Sequence, residues 1–149
     1  MSSATVLVVE DDPDVARLFM MMLKMWEFKA VHASGPREAL ELARSLQAEL
    51  SLVLCDVNLA GESGPSVAGK IRVKCPGVKT LFTSGSPLDV LCDGGLLTRE
   101  ALGAGDTGYI QKPFMPVNLK AAIENLMKAA PGTPANVWQS GVQYARAAY

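Results

Sequence analysis

Residues 51–64 read SLVLCDVNLAGESG. Leu52, Val53 and Leu54 make an apolar run suited to a strand covered on both faces, and the run stops on a carboxylate, Asp56. Asn58, Ala60, Gly61 and Gly64 follow, so the chain leaves the strand for a loop with an acid at the junction. A charge at the end of a buried strand costs free energy unless something uses it. Asp56 is therefore the first candidate for chemistry.

Outward from this stretch, short β-branched runs alternate with segments of helical period. Residues 5–10, 28–33, 51–56, 78–84 and 107–112 read as strands. Residues 14–26, 37–46, 66–74, a less regular 88–104, and 117–130 read as helices. Proline stands near several helix starts (Pro13, Pro36, Pro65, Pro87), where the backbone N–H it lacks would have no intrahelical partner. Asp12, before Pro13, reads as a helix cap. A repeated βα pattern implies an α/β fold with a parallel sheet and helices on both faces. In the methionine-rich first helix, Leu18, Met21, Met22 and Met25 recur at helical spacing and are expected to face the core.

The pattern gives one domain over residues 1–130. APGTPANV (130–137) reads as a linker, and 131–149 form the linker and a short C-terminal tail. Trp138, Tyr144 and Tyr149 suit an extra helix packed on this domain or on a second copy, the alternative being a disordered end.

Composition narrows the function. Of 149 residues 49% are hydrophobic, which excludes disorder, and no apolar run approaches the roughly 20 residues of a membrane span. The default is a soluble cytoplasmic protein without membrane contact. Fourteen basic against 15 acidic residues, a net charge of −1, leave no electrostatic footprint for nucleic acid. The three cysteines, Cys55, Cys75 and Cys92, lack the spacing of a disulfide framework or a zinc site and read as reduced thiols. His32 is the only histidine and reads as a strand end rather than a metal ligand.

In open parallel sheets, ligands bind beyond the carboxyl ends of the strands. The strand ends here carry Glu10-Asp11-Asp12, Asp56, Thr83-Ser84-Gly85 and Lys112-Pro113. Carboxylates gathered at one rim repel one another and call for a cation, and the hard oxygen ligands suit Mg2+. A Ser84 hydroxyl and a Lys112 ammonium suit a phosphoryl group beside that ion. The set fits phosphoryl transfer to or from a carboxylate.

VLVVEDDPDV (6–15), LVLCDVNLAGESG (52–64), TLFTSG (80–85) and GYIQKPF (108–114) together resemble the receiver domain of two-component response regulators, the CheY-like family, over about residues 4–130. The resemblance implies a flavodoxin-like, three-layer fold with five parallel strands in the order 2-1-3-4-5. It implies that Asp56 accepts phosphate from the phosphohistidine of a sensor histidine kinase or phosphotransfer protein. Glu10, Asp11, Asp56 and the backbone carbonyl of Asn58 would hold Mg2+. Lys112 would pair with phosphoryl oxygens, Ser84 and Tyr109 would be the switch residues, with Tyr109 turning inward, and Lys112-Pro113 would be a cis peptide. The chain would catalyse its own aspartyl phosphorylation and dephosphorylation without being an enzyme in the usual sense. Because the tail after Pro131 lacks the length and basic charge of a DNA reader, any signal is expected to leave through a protein partner or a second copy rather than DNA.

Some positions depart from the family pattern. Leu59-Ala60 replaces the frequent Met-Pro after the acceptor, whereas Gly64 matches. The segment from Ser84 to Lys112 is longer than usual and glycine-rich, which sets the fourth helix apart from the family pattern. Thr83 is a rival to Ser84 as the switch, but strand alternation points the two to opposite faces. An aspartate-nucleophile, magnesium-dependent phosphatase of the haloacid dehalogenase type would use a second aspartate two residues after the first, where this chain has Asn58. A flavin module of similar topology would need a hydroxyl-rich phosphate loop after the first strand, and none is present.

Overall fold

A computed structural model describes residues 4–133, 137–139 and, for the backbone only, 142–144. The chain forms two compact units, Met1–Val78 and Lys79–Tyr149.

The first unit runs β1 (Thr5–Val9), α1 (Pro13–Met25), β2 (Lys29–Ala33), α2 (Pro36–Leu46), β3 (Leu50–Asp56) and α3 (Gly64–Lys74). Its strands lie in the order β2-β1-β3, all parallel. Leu7 pairs in register with Val31 on one side and Val53 on the other. Central placement explains why β1 is apolar nearly throughout: Val6 to Val9 are all buried, and so are Leu52 to Cys55 of β3. Ala39 and Ala43 of α2 and Val67, Ala68 and Ile71 of α3 are buried with them, and α2 packs against α3. Burying a leucine such as Leu7 contributes about 2 kcal/mol.

Asp12 caps α1 as expected. Its Oδ1 accepts from the N–H of Asp14 at 2.9 Å and of Val15 at 3.4 Å, and Pro13 occupies the first turn. The helix does not present the expected stripe to the core. Ala16, Phe19, Met22 and Leu23 are buried, whereas Leu18, Met21 and Met25 are 55%, 62% and 70% exposed. From Leu18 to Met25 the helix is apolar nearly all round, so two stripes share the helical period. The one that goes inside carries the large Phe19 and Leu23.

The second unit runs β4 (Lys79–Ser84), α4 (Leu88–Asp93), α5 (Arg99–Leu102), β5 (Thr107–Gln111), α6 (Pro116–Lys128), β6 (Val137–Gln139) and β7 (Val142–Tyr144). The less regular segment 88–104 forms two short helices separated by glycines, with Gly95 in the left-handed region at φ 78°. Leu88, Leu91, Leu97 and Leu102 bury this segment despite its irregular backbone. Pro87 is the residue that caps α4 rather than its first helical residue.

The tail corrects the sequence reading. Val137–Gln139 and Val142–Tyr144 form strands, not a helix: β6 pairs parallel to β5 (Tyr109 with Val137, Ile110 with Trp138), and β7 pairs antiparallel to β6. Val137, Trp138, Val142 and Tyr144 are β-formers, and the edge of β5 offers unpaired backbone groups that a helix could not satisfy. Tyr149 lies outside the described residues.

Candidate functional site

In the first unit, the carboxyl ends of β1 and β3 bring Glu10, Asp11 and Asp56 together. One carboxylate oxygen from each lies within 4.8 Å of the others. Glu10 is buried, Asp56 half-buried and Asp11 exposed, so the cluster grades from interior to solvent. The N–H of Glu10 donates to Ala33 O at 3.1 Å, continuing the β1–β2 ladder by one residue. Its Oε2 accepts the Asp12 N–H at 3.2 Å. His32 Nε2 lies 2.8 Å from the Glu10 carbonyl oxygen. The lone histidine thus braces the acidic corner from β2, a role no sequence pattern signalled.

The loop after β3 is shaped around Asp56. The Asn58 N–H donates to Asp56 Oδ1 at 3.0 Å, and the Ala60 N–H donates to Asp11 Oδ2 at 3.2 Å. A proline at position 60 could not make the second bond. Gly64 closes the loop: its N–H donates to Val57 O at 2.8 Å. A Cβ on Gly64 would stand 2.1 Å from the Asp56 carbonyl oxygen, so the match at Gly64 is a demand for close backbone approach. Ser63 caps α3 through Ser66 N at 3.3 Å.

Cys55, beside this cluster, is buried. Burial first, then the charges of Asp56 and Glu10, push its thiol well above the ordinary range. It stays protonated and inert, and all three cysteines are free, as the sequence suggested.

The second unit carries the remaining predicted residues. β4 ends in Thr83 and Ser84, both buried. Thr83 Oγ1 has no hydrogen-bond partner among the described residues, whereas Ser84 Oγ accepts from Ser86 N at 3.1 Å and so shapes the loop that follows. Tyr109 on β5 is fully buried. Its hydroxyl donates to Ser84 O at 3.3 Å and also to Ser86 O, so the aromatic side chain stands inside. Lys112, just past β5, donates its N–H to Ser84 O at 2.8 Å, and the Lys112-Pro113 peptide is cis. Two contacts in this unit were not foreseen: Gln139 on Leu88, and Lys79, whose Nζ donates to Leu126 O (2.7 Å), Met127 O (3.4 Å) and Ala129 O (2.5 Å) at the end of α6.

No helix among the described residues is long and apolar enough to cross a membrane. In place of the second aspartate that a dehalogenase-type phosphatase would use stands Asn58, serving Asp56 through its backbone.

The family model for the response regulator receiver domain matches residues 6–124. The chain is 28% identical over 126 residues to the sensor kinase CckA of Brucella abortus, covering 85% of this chain and 13% of that protein. It is 30% identical over 123 residues to the transcriptional regulatory protein ZraR of Escherichia coli K12, covering 82% of this chain and 26% of that protein. The chain thus spans about a quarter or less of the length of these two relatives. Among solved structures, the receiver domain of a sensor histidine kinase from Pseudomonas aeruginosa, with a magnesium ion coordinated in its active site cleft, superposes with a TM-score of 0.69 at 19% identity, covering 85% of this chain and 98% of that one. Such neighbours show the flavodoxin-like α/β fold expected from the sequence. With acids at the ends of β1 and β3, a hydroxyl at the end of β4 and Lys-Pro after β5, the chain belongs to the response regulator receiver domain family.

Proposed function

We propose that Asp56 accepts a phosphoryl group from the phosphohistidine of a sensor histidine kinase or phosphotransfer protein, in a reaction that uses Mg2+ at the acidic cluster. The observation that carries this reading is the convergence of Glu10, Asp11 and Asp56 within 4.8 Å. Three carboxylates so close repel one another, and an all-oxygen donor set of this kind fits magnesium. Asp11 and Asp56 would hold the ion directly, Glu10 largely through water, and the Asn58 carbonyl would complete the protein's share. When bound, the ion supplies positive charge to phosphoryl oxygens.

The chain's own groups do the rest. The Asn58 N–H fixes Asp56 Oδ1 and with it the plane of the carboxylate. An Asp56 oxygen attacks phosphorus as the phosphorus–nitrogen bond to the donor imidazole breaks, and the imidazole leaves with the bonding pair. Lys112 and Ser84, carried by β5 and β4, would donate to the phosphoryl oxygens in this reading. Ser84 and Tyr109 would form the switch, because the Tyr109 hydroxyl already rests on the carbonyls of Ser84 and Ser86. A charge event at Asp56 then becomes a change in the loop after β4.

The signal would leave through contacts with a protein partner or a second copy, not DNA, a reading supported by the absence of any excess of positive charge, 14 basic against 15 acidic residues. The reading includes a cytoplasmic place of work, supported by three unpaired thiols. The test is transfer from a labelled phosphohistidine donor. Label should pass to the chain in magnesium and stay on the donor when magnesium is chelated; label that never leaves the donor, across a panel of kinases, would overturn the reading.

A further inference from the structure

The family match ends at residue 124, yet described residues beyond it, 125–133 and 137–139, are built into the second unit. Lys79 ties down the last carbonyls of α6. The following turn then lies against Gly105, where φ is 89° and a Cβ would stand 2.4 Å from Ala130 O. The Gly132 N–H donates to Ala104 O at 2.9 Å. β6 lies at the edge of β5, where Val137 and Trp138 are buried.

At the end of β6, Gln139 Oε1 accepts the Leu88 N–H at 2.7 Å. Leu88 opens α4 and closes the loop that begins at Ser84. That loop is therefore held at both ends. The Tyr109 hydroxyl takes the carbonyls of Ser84 and Ser86, and Gln139 takes the amide of Leu88. The two clamps are linked, because Tyr109 pairs in register with Val137, two residues before Gln139.

We infer that Gln139 is a positioning residue for phosphoryl transfer: through β6 it fixes the Ser84–Leu88 loop in the arrangement that keeps Tyr109 inside. This rests on the reading of Asp56, Ser84 and Tyr109 given above. The consequence is a coupling of one sign. A docked β6 favours the loop arrangement used with the phosphoryl group, and by linkage a phosphoryl group on Asp56 tightens β6.

The test uses the full chain with Gln139→Met, which keeps the shape and loses the acceptor, and Gln139→Glu, which keeps an acceptor oxygen. Amide hydrogen exchange at Leu88 should quicken about fivefold in Gln139→Met, the size of one net hydrogen bond, and stay near wild type in Gln139→Glu. Phosphorylation by acetyl phosphate with magnesium should slow by a similar factor in Gln139→Met and recover in Gln139→Glu. Unchanged exchange at Leu88 in Gln139→Met overturns the clamp, and faster exchange with an unchanged phosphorylation rate overturns the positioning role. The exchange arm needs no phosphoryl chemistry. If the wild-type chain takes no phosphate, the reading of Asp56 fails and with it the positioning role, while the clamp is still decided by exchange.

Discussion

The amide of Ala60 donates to Asp11 Oδ2 at 3.2 Å, so a metal-ligand candidate on the first strand's loop is aimed by the backbone of the loop after the third. Proline at position 60 would remove this donor. Ala60→Pro should therefore weaken magnesium binding about fivefold, the worth of one hydrogen bond to a carboxylate at an exposed site, while Ala60→Gly retains the N–H and the affinity. Isothermal titration with Mg2+ checks both, and equal affinities for wild type and Ala60→Pro would show that the bond does not orient Asp11.

Gly64 stands against the Asp56 carbonyl so closely that an added Cβ would lie 2.1 Å from the oxygen and 2.9 Å from the carbonyl carbon. Both are backbone atoms and cannot swing aside. Gly64→Ala should cost about 1–3 kcal/mol, the range for overpacking, in urea unfolding. It should also slow phosphorylation, because the displaced backbone carries the acceptor. A variant with wild-type stability would mean the loop yields freely.

On α1 the exposed and buried apolar residues should separate in a denaturation series. Leu23→Ala removes a fully buried side chain and should cost about 2–5 kcal/mol. Met21→Lys, at a position 62% exposed, should change stability by no more than about 0.5 kcal/mol. The opposite ranking would restore the stripe of Leu18, Met21 and Met25 to the core.

Lys79 is half-buried and gives its ammonium to three carbonyls at the end of α6. Replacing it with methionine keeps the stem but leaves these acceptors without a cation. Lys79→Met should lower stability by about 2 kcal/mol, as for hydrogen bonds to a charged group, and should raise amide exchange in the last turn of α6. Wild-type exchange there would show that water serves those carbonyls equally well.

The strand ends are legible because two signals coincide there: a short apolar or β-branched run marks the strand, and the residue that breaks it is polar. These signals place Glu10, Asp11, Asp56, Ser84 and Lys112 at strand ends. The Asp12 cap was legible for a similar reason, since Asp-Pro has few other uses before a helix. The phase of α1 was not, because a helix apolar on most sides offers no contrast to its own period. The strands of the tail are not legible because Trp138 and Tyr144 carry no periodicity over so short a span, and what decides their conformation is the edge of β5, nearly 30 residues earlier in the chain. The bonds from Ala60 to Asp11 and from Leu88 to Gln139 use backbone N–H groups that every residue but proline has, so no residue type announces them.

The most direct measurement is the site of the phosphoryl group. After incubation with acetyl phosphate and Mg2+, borohydride reduction converts an aspartyl phosphate to homoserine, and peptide mass spectrometry locates the change. The prediction is a single conversion at Asp56, abolished in Asp56→Asn and strongly reduced when magnesium is chelated. Conversion at another residue, or undiminished modification in Asp56→Asn, would contradict it.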